Sequence, residues 1–154
     1  VQPLFFTFKI MCLVAFAWKV HPDFPLLISA NRDEFFHRPT LPLHRWDEGL
    51  YAGKDLQGGG TWMGFHPDGK WALLTNYRDF TQKRAAKISR GKLVTDFLTN
   101  SISPENYLDQ VWENHAEFDG FNLIVSDGEK LYYYSNYGKE PLEIQPGIHG
   151  LSNG

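Results

Sequence analysis

The sequence predicts an α+β layered domain. Strand-length apolar runs come in pairs around turn signals, as in Thr61–His66 and Lys70–Asn76 flanking Pro67-Asp68-Gly69. A stretch of helical periodicity, residues 91–118, sits between such hairpins. The 154 residues are 42% hydrophobic and 16% aromatic, which suits one folded domain with a real core rather than a disordered chain. Hairpins with helices inserted between them fit layers of sheet and helix.

Residues 1–10 are apolar and aromatic, interrupted by Lys9, with no small-x-small cleavage site after them. They read as an N-terminal extension ahead of a natural start at Met11, with residues 11–154 as the N-terminal part of a single domain. Met11–Trp18 and Leu26–Ala30 are two apolar runs around a Pro-containing turn, expected as a hairpin with both strands buried. Antiparallel pairing brings the end of the second strand beside the start of the first. The lone cysteine, Cys12, should therefore meet the polar cluster Asn31-Arg32-Asp33-Glu34. Arg32 favours a thiolate, the nucleophilic form of a thiol. The bland reading stands beside this: lone cysteines are common as small core hydrophobes, and such clusters as structural ion pairs.

Residues 46–55 read as a loop or short strand. Gly58-Gly59-Gly60 suits a close backbone approach, or simply a turn; no Gly-Lys-Ser/Thr follows, so it is not a phosphate loop. The strand to Asn76 ends in a second polar cluster, Thr75-Asn76-Tyr77-Arg78-Asp79, and the basic residues 79–91 read as a solvated loop or lid. Leu93, Val94, Phe97 and Leu98 predict a helix stopping near Asn100. A second helix is predicted from Ser103 as N-cap, with Leu108, Val111 and Trp112 as its apolar stripe. Phe121–Ser126 and Lys130–Asn136 predict a hairpin whose tyrosines alternate between faces. Leu142–Ile144 and Ile148–Leu151 read as a last pair of strands joined by Gln145-Pro146-Gly147.

The net charge of −3 gives no ground for a nucleic-acid partner, and no apolar run has the length of a membrane span. A single cysteine suits a reducing compartment, so a cytoplasmic location is expected. The six histidines are scattered without metal-ligand spacing, and neither a metal nor a cofactor is expected.

Met11-Cys12 before a strand, Asn31-Arg32-Asp33-Glu34, Arg38-Pro39, residues 59–64 (Gly-Gly-Thr-Trp-Met-Gly), residues 74–78 (Leu-Thr-Asn-Tyr-Arg) and residues 149–153 (His-Gly-Leu-Ser-Asn) together resemble the NRDE family, also called the transport and Golgi organisation protein 2 family. That family resembles the N-terminal nucleophile (Ntn) hydrolases of the choloylglycine hydrolase and penicillin V acylase group. The resemblance implies a four-layer αββα sandwich, of which this chain supplies the first half or more. It implies hydrolysis of a linear amide bond, with Cys12 as nucleophile, its freed α-amine as general base, and Arg32 beside the thiolate. Asp33 is the implied holder of the α-amine, with Glu34 an open alternative. Asn76 is implied as an oxyanion donor, with a plain strand-end cap as the alternative, and Asn153 as a second oxyanion-side amide. Asn31, Glu34, Trp62, Tyr77 and Arg78 are the candidate substrate contacts, the partner being a small molecule. The rival class is a binding or trafficking protein on the same scaffold. Trp62, Trp71 and the tyrosines would then hold a lipid or haem, with His37 or Cys12 touching it.

Overall fold

The computed structural model describes residues 11–77 and 87–153; Arg78 and most of the basic segment lie outside the described residues. Strands β1 (Leu13–Trp18) and β2 (Leu26–Asn31) form the expected antiparallel hairpin, with Leu13 opposite Asn31 and Trp18 opposite Leu26. Strands β3 (Thr40–Arg45), β4 (Tyr51–Asp55), β5 (Met63–Phe65) and β6 (Trp71–Asn76) follow as an antiparallel meander. Helices α1 (Gly91–Thr99) and α2 (Pro104–Asn114) come next, then strands β7 (Phe121–Ser126), β8 (Leu131–Ser135), β9 (Leu142–Glu143) and β10 (Gly147–Ser152).

The strands make two sheets. One has seven strands in the order β3-β4-β5-β6-β7-β8-β9; the other has three, β10-β1-β2. All described pairings are antiparallel. The expected hairpin of the last two strands does not form. β9 pairs with β8 in the large sheet, and β10 crosses to pair with β1 in the small one. Gln145-Pro146 is therefore a connection between the two sheets. β3 gave little strand signal, since Pro42 interrupts it. It occupies the edge of the large sheet, where a missing backbone donor costs no ladder bond.

Side-chain alternation in the large sheet sorts two cores. Ala72, Leu74, Leu123, Val125, Tyr132 and Tyr134 face the helices and pack on Leu93, Val94, Phe97, Leu98, Leu108 and Val111. Trp71, Leu73, Ile124 and Leu131 face the small sheet and meet Val14, Phe16 and Trp18. The layers are thus helix, sheet, sheet. β7 is buried along its whole length because both its faces are covered. The tyrosines of β8 alternate as expected, but Tyr132 and Tyr134 join the helix-side core while Tyr133 packs between the sheets. The expectation that β1 and β2 are both buried holds for one face only. Leu13, Leu27 and Ile148 are exposed on the outer face of the small sheet, Ile148 at 82%.

The helices follow the periodicity. Leu93, Val94, Phe97 and Leu98 are the buried face of α1. The Ser103 hydroxyl accepts the Asn106 backbone N–H at 3.3 Å, capping α2 as predicted. Tyr107 replaces Trp112 in the buried stripe: its hydroxyl donates to the Leu93 carbonyl at 2.6 Å, which lets a polar tip enter the core. Trp112 is 37% exposed.

One surface contact ties α2 to β8. Glu105 accepts from Lys130 Nζ and from the Tyr132 hydroxyl, both at 2.6 Å. Those two bonds, Lys130 first, hold its carboxyl down at about 2. Because the folded value lies below the unfolded one, this contribution is complete above the ordinary carboxylate range and is lost as pH falls from about 4.5 through about 2. The group is partly solvated, so the effect is modest. A Glu105→Gln chain should melt slightly below the parent at pH 7 and together with it near pH 2. Thermal unfolding followed by circular dichroism across that range checks this.

Candidate functional site

The start of β1 and the end of β2 form one wall of a cavity of about 470 Å³, within the range of small-molecule sites. Cys12 has the same parity as Val14, Phe16 and Trp18, so its side chain points toward the large sheet. It is 7% exposed and lines the cavity. Continuing the ladders by one residue past Leu13 sets Cys12 between Arg32 on one side and Asn153 on the other. The Asp33 backbone N–H donates to Cys12 Sγ at 3.4 Å.

The four residues after Ala30 divide their work. Asn31 does not turn into the cavity. Its Oδ1 accepts the Leu13 N–H and its Nδ2 donates to the Met11 carbonyl, both at 3.1 Å. It therefore clamps the backbone on either side of Cys12. Arg32, Asp33 and Glu34 all line the cavity. Arg32 Nη2 lies 3.2 Å from Glu34 Oε2, and the same oxygen lies 3.7 Å from Arg38 Nε. Arg38 is also paired with Asp55: its Nη2 donates to Oδ2 at 2.6 Å and its Nε at 3.0 Å. Asp55 Oδ1 accepts the backbone N–H groups of Gln57 and Gly58. Burial pushes the Asp55 carboxyl up, but the Arg38 bond and then the Gly58 and Gln57 bonds outweigh it and hold the group below its usual range. The Asp55 bond likewise raises the Arg38 guanidinium above its ordinary value.

The opposite wall comes from the large sheet and the start of α1. Thr75 and Asn76 end β6, and Ser89, Arg90 and Gly91 precede and open the helix. Alternation gives Thr75 the parity of Trp71 and Leu73, toward the small sheet and Cys12. Asn76 has the helix-side parity and reaches the cavity from the strand's last position. Gly60 and Gly91 touch backbone to backbone: a Cβ on Gly60 would lie 2.6 Å from the Gly91 carbonyl oxygen. The glycine run thus serves a close approach, between the β4–β5 loop and α1. Trp62 also lines the cavity, and Leu43 and Phe65 form an exposed apolar rim.

The other expected site residues fall outside this wall. Tyr77 stacks on Tyr137 at 4.5 Å between ring centres, and its N–H donates to the Gly120 carbonyl. It does not line the cavity. Asn153 is buried, at 4% exposure, beside Cys12 in the ladder but not on the cavity wall. Arg78 lies outside the described residues. His37 stacks on Phe35 in the turn after β2, away from the lining, and Trp71 packs in the core between the sheets.

Sequence reasoning missed a buried polar group behind the site. Asn122, on β7, donates from Nδ2 to Thr75 Oγ1 at 3.2 Å and to the Ser152 carbonyl at 3.3 Å. Its Oδ1 accepts from the Tyr133 hydroxyl at 2.8 Å. It joins the large sheet to β10 one residue before Asn153. A lone Asn in the apolar run Phe-Asn-Leu-Ile-Val was the available signal. Arg38 stood in the Arg-Pro pair, but nothing near Asp55 marked it as its partner.

Among the described residues, no group of His, Cys, Asp and Glu is arranged to hold a metal, and no helix is long and apolar enough to cross a membrane. Comparison with known proteins adds a lineage. The model of the family described as Transport and Golgi organisation 2 matches residues 11–154. The Transport and Golgi organization protein 2 homolog of Bos taurus is 38% identical over 93% of this chain and 57% of its own length. The Homo sapiens homolog is 37% identical with the same coverage. The Drosophila melanogaster Transport and Golgi organization protein 2 is 30% identical over 74% of this chain and 45% of its own. The chain spans little more than half the length of these mammalian relatives.

Proposed function

Because the chain belongs to the Transport and Golgi organisation 2 family, we propose that its cavity is the site of an Ntn-type cysteine hydrolase acting on a linear amide bond. The observation that carries this reading is the placement of Cys12. A single thiol stands at a strand start, turned into a small-molecule cavity, with a backbone N–H on its sulfur. In this scheme the α-amine of Cys12, freed by cleavage after Met11, takes the thiol proton. The thiolate attacks the amide carbonyl carbon, and the negative charge moves to the carbonyl oxygen. Asn76 and Asn153 are the proposed amide donors to that oxygen, a role worth several kcal/mol where it operates. The protonated amine then passes its proton to the leaving nitrogen, and water hydrolyses the thioester. Arg32 supports the thiolate, while Asp33 or Glu34 is the proposed partner of the α-amine. The four-layer αββα sandwich belongs to this proposal, and the succession of helix, sheet and sheet supports it.

Asn31 sharpens the test, because its Nδ2 holds the very carbonyl, that of Met11, whose bond must be cut. A full-length protein beginning at Cys12 should hydrolyse members of a simple N-acyl amide panel. The same protein blocked at that amine by an uncleaved Met11 should not. Equal activity of the two forms, or none in either, would sink the hydrolase reading.

A second reading is favoured by the rim. Leu43 is 70% exposed and stands with Phe65 at the mouth of the same cavity, and the curated relatives bear transport names. A cavity that binds an apolar ligand without turning it over would retain its ligand when Cys12 is replaced by alanine.

A further inference from the structure

Of the charge chain at the cavity, Arg32 stands opposite Cys12 in the strand ladder, while Arg38 and Asp55 lie further along it. Glu34 offers one oxygen, Oε2, to both Arg32 and Arg38, because its Oε1 accepts the Phe35 N–H. Arg38 is therefore a competitor of Arg32 for a single carboxylate oxygen. It sits closer to Asp55, at 2.6 Å, than to Glu34, at 3.7 Å. Asp55 is itself pinned by two backbone N–H groups. All four side chains are less than a third exposed, so solvent screens them only in part. Among the described residues, the other charged groups on the cavity are Asp33 on the same loop, Lys54 over the Trp46 ring, and Arg90, which donates to the Gly120 carbonyl.

We infer that Arg38 and Asp55 are positioning residues that set how much of the Arg32 charge reaches Cys12. The inference rests on the reading of Cys12 as a reactive thiol. Asp55 draws Arg38 away from Glu34, which leaves Glu34 to neutralise Arg32. If Asp55 loses its charge, Arg38 moves onto Glu34 and Arg32 is released to favour the thiolate. If Arg38 is lost, Glu34 belongs to Arg32 alone and the thiolate is disfavoured. The effect therefore changes sign from one member to the next, which a merely structural role does not produce.

The test is the rate at which iodoacetamide labels Cys12 in the folded, full-length protein at pH 7, read on the Cys12 peptide by mass spectrometry. Asp55→Asn keeps an oxygen for the Gln57 and Gly58 bonds and should speed labelling by about 2- to 5-fold, the size expected when a charge acts indirectly, by partly releasing Arg32 from Glu34. Arg38→Gln should slow it by a similar factor. In the Arg38→Gln background, Asp55→Asn should have no effect, since Arg38, which links Asp55 to Glu34 among the described residues, is gone. An equal Asp55→Asn effect in both backgrounds would mean a plain long-range field and would overturn the relay, as would no effect in the parent. The expected pattern in a protein that hydrolyses no amide would leave the relay standing and remove the hydrolase. A Cys12 that resists labelling in the folded parent removes both.

Discussion

A Cys12→Ala chain, prepared full length with residue 12 at its N-terminus, is expected to lose at least about 10³-fold in amide hydrolysis. It should keep its fold. The side chain is small, and its removal deletes one long bond from the Asp33 N–H. Such a loss costs about 1 kcal/mol. Circular dichroism should therefore superpose with the parent while turnover disappears. Cys12→Ser keeps an atom for the Asp33 N–H but offers a hydroxyl that ionises far less readily than a thiol. It should fall between the two, and closer to alanine. The ordering tests the chemistry rather than the packing. A purely structural Cys12 would make activity follow stability in both variants, with neither losing turnover while its fold is intact. Initial rates on any substrate found with the free-amine form, set beside melting temperatures, decide it. An alanine variant as active as the parent would end the nucleophile assignment.

The parts of this chain that could be read in advance are those whose signal is local. Leu93, Val94, Phe97 and Leu98 announce α1 because a helix repeats its buried face within a single turn. Ser103 caps α2 within three residues of itself. The meeting of Cys12 with the Asn-Arg-Asp-Glu cluster was legible because a hairpin fixes its own register. Which sheet a strand joins is not a local property. β9 and β10 are four residues apart in sequence and lie in different sheets, because Leu142 pairs with Tyr133 while Leu151 pairs with Val14. The outer face of the small sheet shows the same limit: Leu13, Leu27 and Ile148 have the alternation of a covered strand, yet remain exposed among the described residues. Motif resemblance marked Arg32 and Asn76. It could not show that Asn76 has helix-side parity, which depends on which face of the large sheet the helices cover, or that Arg38 pairs with Asp55, 17 residues further on.

Asn122 is where that hidden, long-range information has its largest stability consequence. Its side chain makes three hydrogen bonds to three separate strands: β6 through Thr75, β8 through Tyr133 and β10 through the Ser152 carbonyl. It is 3% exposed. Alanine would leave a threonine hydroxyl, a tyrosine hydroxyl and a carbonyl oxygen to find new partners in the layer between the sheets. Burial already pushes the Tyr133 phenol up, which reflects how little water reaches that layer. Unpaired buried polar groups cost about 1–3 kcal/mol each, but the half-buried Tyr133 recovers part of its share from solvent. The expected total is about 2–4 kcal/mol, or a fall in melting temperature of about 5–15 °C for a protein of this size. Asn136 gives the comparison. It is also buried, but its amide serves the carbonyls of Phe118 and Asp119 and the Phe121 N–H, all at one end of the large sheet. Asn136→Ala should lower stability similarly without loosening β10 from the large sheet. Hydrogen exchange separates the two: in Asn122→Ala the β10 amides, with their partners in β1, should exchange faster than those of β6 and β7, while Asn136→Ala should leave that ranking unchanged. Uniform exchange in Asn122→Ala would show that the small sheet is held by its apolar layer of Val14, Phe16 and Trp18 alone, and that the polar tie beside Cys12 adds nothing to it.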